Sequence, residues 1–234
     1  MSILILLTAL LPVAILVFYI YRKDKNLPEP TGQLVKAFFY GVISAPSSFF
    51  ISIPLGMIGL YLVEDTTVLG SVSSAFFGAA IPEESAKLFV LWLVLRKNPF
   101  FDEKMDGIVY AVCVSLGFAA FENILYLFSD TESFLSIGVV RAIFAVPGHF
   151  CFGILMGYYY SIAKFYPKSS IKNKILVLLA PIIAHGLYDS ILFVMNVTPI
   201  ISGLLLIVFL VFCHKMWKYS SQRIEKHLRR DQIH

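Results

Sequence analysis

Charge is scarce in this chain. Asp, Glu, Lys and Arg supply 15% of its 234 residues and hydrophobic residues 58%, whereas soluble domains are about a quarter charged. That excludes an ordinary soluble domain. Cysteine is scarce too: Cys113, Cys151 and Cys213 all fall in apolar segments. An odd number at unrelated spacings excludes a disulfide framework and a CxxC metal site, and the three read as small buried hydrophobes. No G-x-S-x-G is present, which argues against a serine hydrolase, and the lack of H-E-x-x-H gives no support to a zincin site. Neither an internal repeat nor a low-complexity tract occurs. The apolar run Ile3–Tyr21 lacks a basic n-region and is too long for a signal-peptide core, so it reads as a retained first span.

What is present is a series of apolar runs, several longer than the roughly 20 residues that cross a bilayer as a helix. The expected fold is all-α: a polytopic membrane helix bundle of about seven spans, near 2–21, 34–62, 68–95, 107–128, 134–163, 174–196 and 199–216. The second holds Pro46 and Pro54 and is either one kinked span or two, since proline removes a backbone donor and clashes with the preceding turn. Basic residues favour seven. They cluster at Arg22, Lys23, Lys25 and Lys36; at Arg96, Lys97 and Lys104; at Lys164, Lys168, Lys172 and Lys174; and from Lys215 to Arg230. The intervening connections, one holding Glu64 and Asp65, have none. The positive-inside rule then places the N-terminus outside and the C-terminus in the cytoplasm. The net charge of +4 reflects loops facing anionic lipid and not nucleic-acid binding. Residues 1–219 form one transmembrane domain with a catalytic core about 68–196, and 220–234 form a basic cytoplasmic tail that anchors to lipid.

Eight ionisable residues lie inside the apolar spans: Glu83, Glu84, Lys87, Glu122, Arg141, His149, His185 and Asp189. Unpaired, such groups would cost on the order of 20 kcal/mol together, so they read as one buried polar site. Measured from the basic ends of their spans at 1.5 Å per residue, Glu84 lies roughly 18 Å in and His185 roughly 17 Å. Glu122, His149 and Asp189 lie roughly 22 Å in. Four spans that do not all run the same way thus bring polar groups to one layer, at or just outside the midplane. His185 and Asp189, and Phe118 and Glu122, share helix faces. Glu84 and Lys87 are spaced to pair, while Glu83 points about 100° away from Glu84. Arg141, two turns outward of His149, is placed to neutralise Glu83 or Glu122. Small residues surround these positions and allow close helix approach, and Pro82, Pro147 and Pro181 open the helices just before them.

A glutamate pair suits either a cation site, as in a transporter, or acid–base chemistry. A buried carboxylate acts as a general base near neutral pH, and a histidine donates to an oxyanion or protonates a leaving amine. Lys87 compensates charge. Asp189 orients His185 or, because i,i+4 spacing strains a direct contact, acts beside it. The same groups suit a divalent metal such as zinc, with His149, His185, Glu84 and Glu122 as ligands and an open position for water. A transporter would show inverted repeats, and no such symmetry is visible. A non-catalytic scaffold or immunity-type protein is the other alternative.

Glu83-Glu84-Ser85-Ala86-Lys87 forms EExxK, Phe118 to Glu122 forms FxxxE followed by Asn123, His149 follows Pro147-Gly148, and His185 to Asp189 forms HxxxD. In this order, in consecutive spans, they resemble the PrsW family of intramembrane proteases, relatives of the CAAX-protease and bacteriocin-processing superfamily. The resemblance covers about residues 80–190. Lys87 and Asp189, where CAAX-type relatives have Arg and Asn, favour the PrsW branch. It implies a glutamate-dependent, membrane-embedded endopeptidase of a bacterial plasma membrane, linked to site-1 cleavage of membrane-anchored anti-sigma factors. The partners would be a single-pass membrane protein substrate and the lipid bilayer. Carried over, Glu83 and Glu84 are the water-activating pair, and His149 and His185 the acid or oxyanion donors. Glu122 and Asp189 complete the catalytic set, with Lys87, Asn123 and Arg141 in support. The resemblance leaves the use of a metal open.

Overall fold

The bundle is built around α5 (Lys104–Ser129), whose residues from Met105 to Ala120 are all buried. In the computed structural model, residues 2–24, 27–62, 66–166 and 171–232 are described. The other elements are α1 (Ser2–Lys23), α2 (Thr31–Met57), α3 (Val68–Ser73), α4 (Ile81–Leu95), α6 (Phe134–Val140), α7 (Val146–Phe165), α8 (Ile171–Val197) and α9 (Ser202–Asp231). No strand occurs among the described residues. A π-helical turn, Ser74–Ala80, joins α3 to α4, and a second, Arg141–Ala145, joins α6 to α7. Counting each joined pair as one rod, the described residues form seven rods. Six are long and apolar enough to cross a membrane on composition alone. The seventh, 68–95, carries Glu83, Glu84 and Lys87.

α2 runs unbroken through Pro46 and Pro54 and ends at Met57, just before Gly59 at φ 77°. Residues 34–57 are therefore one rod. Lys25, Glu64, Asp65 and Lys168, used in the charge alternation, lie outside the described residues.

Close packing on α5 depends on glycine at the crossings. A Cβ on Gly157 of α7 would meet the Gly107 carbonyl oxygen and, at 2.6 Å, the Cα of Ile108. One on Gly117 would meet the Phe38 carbonyl of α2. Small residues at such crossings let backbones approach where no hydrophobic effect drives helices together.

The last helix continues well past the apolar run. Ser220, Ile224 and His227 are buried, and the His227 ring stacks on Tyr158 at 4.4 Å. Asp231, at its end, accepts from the backbone N–H of Lys104 (3.1 Å) and Met105 (2.9 Å) and so caps α5.

Candidate active site

Each π turn directly precedes a polar group of the site. Pro82 and Pro147 stand at the start of α4 and α7, where a ring without an N–H leaves a carbonyl of the preceding turn unpaired. A π turn absorbs the extra residue and changes the direction in which the next side chains point. Glu83 and Glu84 follow the first such turn and His149 the second.

These side chains form one continuous chain of contacts across α4, α5, α7 and α8. Lys87 is its hub, 1% exposed. Its Nζ donates to Glu84 Oε1 (2.8 Å) and to His149 Nδ1 (3.1 Å), lies 3.5 Å from Glu83 Oε2, and sits 4.1 Å above the Phe118 ring. An ammonium can only donate, so His149 Nδ1 accepts and its proton lies on Nε2. Nε2 then donates to Glu122 Oε2 (2.9 Å). Glu122 also accepts from Arg141 Nη2 (2.8 Å), whose Nε donates to Asn123 Oδ1 (2.6 Å). Asn123 Nδ2 in turn donates to the Ala9 carbonyl of α1 (3.0 Å).

On the other side of Lys87, His185 Nδ1 lies 2.9 Å from Glu84 Oε1 and Nε2 lies 3.1 Å from Asp189 Oδ2. Glu83 Oε2 is 3.9 Å from Nε2. An imidazole carrying one proton satisfies only one of these carboxylates, so the second position takes a further proton or a metal ion.

All eight intramembrane ionisable residues are thus in one network, with Asn123 joined to it. Arg141 pairs with Glu122, one of the two partners expected for it. Two details differ from the sequence reading. Asp189 touches His185 directly: one helical turn brings the two side chains together. The Glu83 carboxylate, although it starts on another face, reaches the same hub as Glu84. Phe152 was not anticipated: it stacks on His185 at 4.7 Å and meets the His149 ring edge-on. Its signal was present, since it lies three residues after His149, on the same face of α7. Tyr126, 4.2 Å from the Arg141 guanidinium, was missed as well.

A cavity of about 240 Å³ opens onto the network, lined among others by Glu83, Glu122, His149, His185 and Asp189. Glu83 lines the cavity, and Glu84 lies buried behind it; Glu83 Oε2 and Glu84 Oε2 both lack a hydrogen-bond partner. Glu83, Glu84 and His185 each present a donor atom within 4.8 Å of the others. Two carboxylates with unused oxygens beside an imidazole fit a divalent ion. His149 does not join this set, because Lys87 and Glu122 occupy its two ring nitrogens, and Glu122 is held by His149 and Arg141.

Apolar rods closed around carboxylates and imidazoles are the construction of an enzyme that works inside a membrane. A family model described as PrsW family intramembrane metalloprotease matches residues 29–215. Protease PrsW of Clostridioides difficile is 34% identical over 228 residues, 95% of this chain and 90% of that protein. Protease PrsW of Oceanobacillus iheyensis is 38% identical over 189 residues, 80% of this chain and 82% of that protein. The Bacillus subtilis protein of the same name is 36% identical over 178 residues, covering 76% of this chain and 77% of its own length. No solved structure matches. The chain belongs to the PrsW family of intramembrane proteases, and it is a multi-pass membrane peptidase.

Proposed function

We propose that this protein cuts single-pass membrane regulatory proteins of the anti-sigma-factor type at a site-1 position, using water activated between Glu83, Glu84 and His185. The observation that carries the reading is a cavity inside the bundle lined by Glu83, Glu122, His149, His185 and Asp189, where Glu83 Oε2 and, behind it, Glu84 Oε2 are buried without a hydrogen bond. A buried oxygen without a partner is costly to keep, and water or a substrate hydroxyl-like intermediate is the partner such a cavity supplies. The basic loops support an external N-terminus and a cytoplasmic C-terminus in the plasma membrane.

In this reading Glu83, the less tethered carboxylate, takes the proton from water. Glu84, fixed through Oε1 by Lys87 and His185, holds that water through Oε2. His185, held at Nδ1 by Glu84 and stacked on Phe152, turns its Nε2–H from Asp189 to the developing oxyanion. The leaving amine takes from Glu83 the proton that Glu83 removed from water, and His149, its Nε2 proton on Glu122 and its Nδ1 on Lys87, keeps those two groups in place. A cavity shielded from bulk water strengthens each of these interactions. Glu83, Glu84 and His185 would hold a divalent metal, which when bound would acidify water and polarise the scissile carbonyl.

The test is cleavage of a panel of single-pass membrane proteins in proteoliposomes, with Glu84→Gln as the comparison. The expected result is a discrete cut near one span, made by the wild type and lost in Glu84→Gln. Identical product patterns from both would overturn the proposal.

A further inference from the structure

A second buried cluster of acids lies at the opposite, basic-loop end of the bundle, independent of the proposed reaction. It joins the α1–α2 connection (Asp24, Glu29) to the start of α5 (Asp102, Glu103, Asp106). Asp24, Glu103 and Asp106 present oxygens within 4.8 Å of one another, and Glu29, Asp102 and Asp106 do the same, so Asp106 belongs to both groups. Asp106 precedes Glu122 by 16 positions on α5, about 24 Å along the helix, so this cluster is separate from the intramembrane site.

Helix capping accounts for part of it. Asp106 Oδ2 accepts from the backbone N–H of Asp102 (3.0 Å) and Glu103 (2.6 Å), and Asp231 caps the next two residues. Capping leaves Asp106 Oδ1 and Asp24 Oδ2 unused. Both oxygens are buried with no hydrogen-bond partner, on residues that are 0% and 3% exposed. Among the described residues no lysine or arginine forms an ion pair with these five acids: Lys104 pairs with Asp231, and Lys164, near the group, donates to the Phe101 carbonyl. Tyr110 donates to Glu29. Two buried oxygens without a hydrogen-bond partner, among five converging carboxylates, offer ready ligands to a cation.

We infer that Asp24, Glu29, Asp102, Glu103 and Asp106 form a site for a hard divalent cation of the Mg²⁺/Ca²⁺ class, which ties the α1–α2 connection to α5. An all-oxygen, carboxylate-rich donor set selects these ions over zinc.

The experiment uses the full-length protein in detergent, stripped of metal and titrated separately with MgCl₂ and CaCl₂. Thermal unfolding and calorimetry are followed for wild type, Asp24→Asn, Asp106→Asn and Glu84→Gln. Saturable stabilisation by at least one of the two cations is expected in wild type and Glu84→Gln, with apparent affinity at least about tenfold weaker in Asp24→Asn. Asp24→Asn carries the test if Asp106→Asn does not fold. Absence of both heat and stabilisation with both cations, equal binding by Asp24→Asn, or loss of binding in Glu84→Gln would each overturn the inference.

Discussion

The molecule holds two buried clusters of carboxylates, and they are neutralised in opposite ways. In the intramembrane cluster four acids meet Lys87, Arg141 and two histidines, and nearly every donor finds an acceptor. At the basic-loop end no lysine or arginine among the described residues forms an ion pair with the five acids, and the two unused oxygens belong to buried side chains. Within hydrocarbon a charge must carry its partner with it, so the chain supplies its own cations there. Near the membrane surface an ion from solution can take that role. Glu83 Oε2 and Glu84 Oε2, which make no hydrogen bond, are thus a local exception inside a network balanced in charge, as the proposed reaction needs.

Breaking the balance should have the largest effect. Lys87→Met leaves Glu83 and Glu84 without their shared cation, and removing one partner of a buried pair costs about 3–5 kcal/mol. Thermal unfolding in detergent should show a clear loss of stability or of folded yield. A variant as stable as wild type would mean that the glutamates are neutralised some other way. Arg141→Gln acts at the edge of the same network. It frees Glu122 to move with His149, and cleavage should fall about 10–100-fold with the fold retained by circular dichroism.

Most of the scaffold was legible because hydrocarbon imposes a simple rule: apolar runs of the right length gave the rods. The membership of the polar site was legible for the complementary reason, that each ionisable residue in such a run needs an explanation. What stayed hidden depended on backbone detail. The π turns before Glu83 and His149 leave no periodic signature, yet they let Glu83 converge on the hub that Glu84 already occupies. The direct contact between His185 and Asp189 depends on side-chain reach within one helical turn. The acidic cluster was invisible because Asp24 and Glu29 lie about eighty positions from Asp102, Glu103 and Asp106, and a loop carboxylate reads as solvated until the fold buries it.

Two smaller effects sharpen the contrast at the basic-loop end. Asp231→Ala removes the cap that α9 supplies to α5 and should lower stability by about 1 kcal/mol, read from the unfolding midpoint. Glu103→Gln keeps an acceptor for the α5 cap but removes one negative charge. Burial and the charges of Asp231 and Asp102 raise the Glu103 pKa, so ionisation there opposes folding. Without divalent ions this variant should be more stable than wild type, by at most about 0.5 kcal/mol after solvent screening. With saturating Mg²⁺ or Ca²⁺ the order should reverse. The opposite signs expected for Lys87→Met and Glu103→Gln restate the two modes of neutralisation as numbers.

The most direct test of the central claim is single-turnover cleavage of a reconstituted single-pass substrate by Glu83→Gln, with bound metal measured on the same preparation. The account predicts a loss of about 10³-fold or more in a protein that remains folded and inserted. Cleavage at the wild-type rate by Glu83→Gln would contradict it, and would move the activation of water away from the paired glutamates.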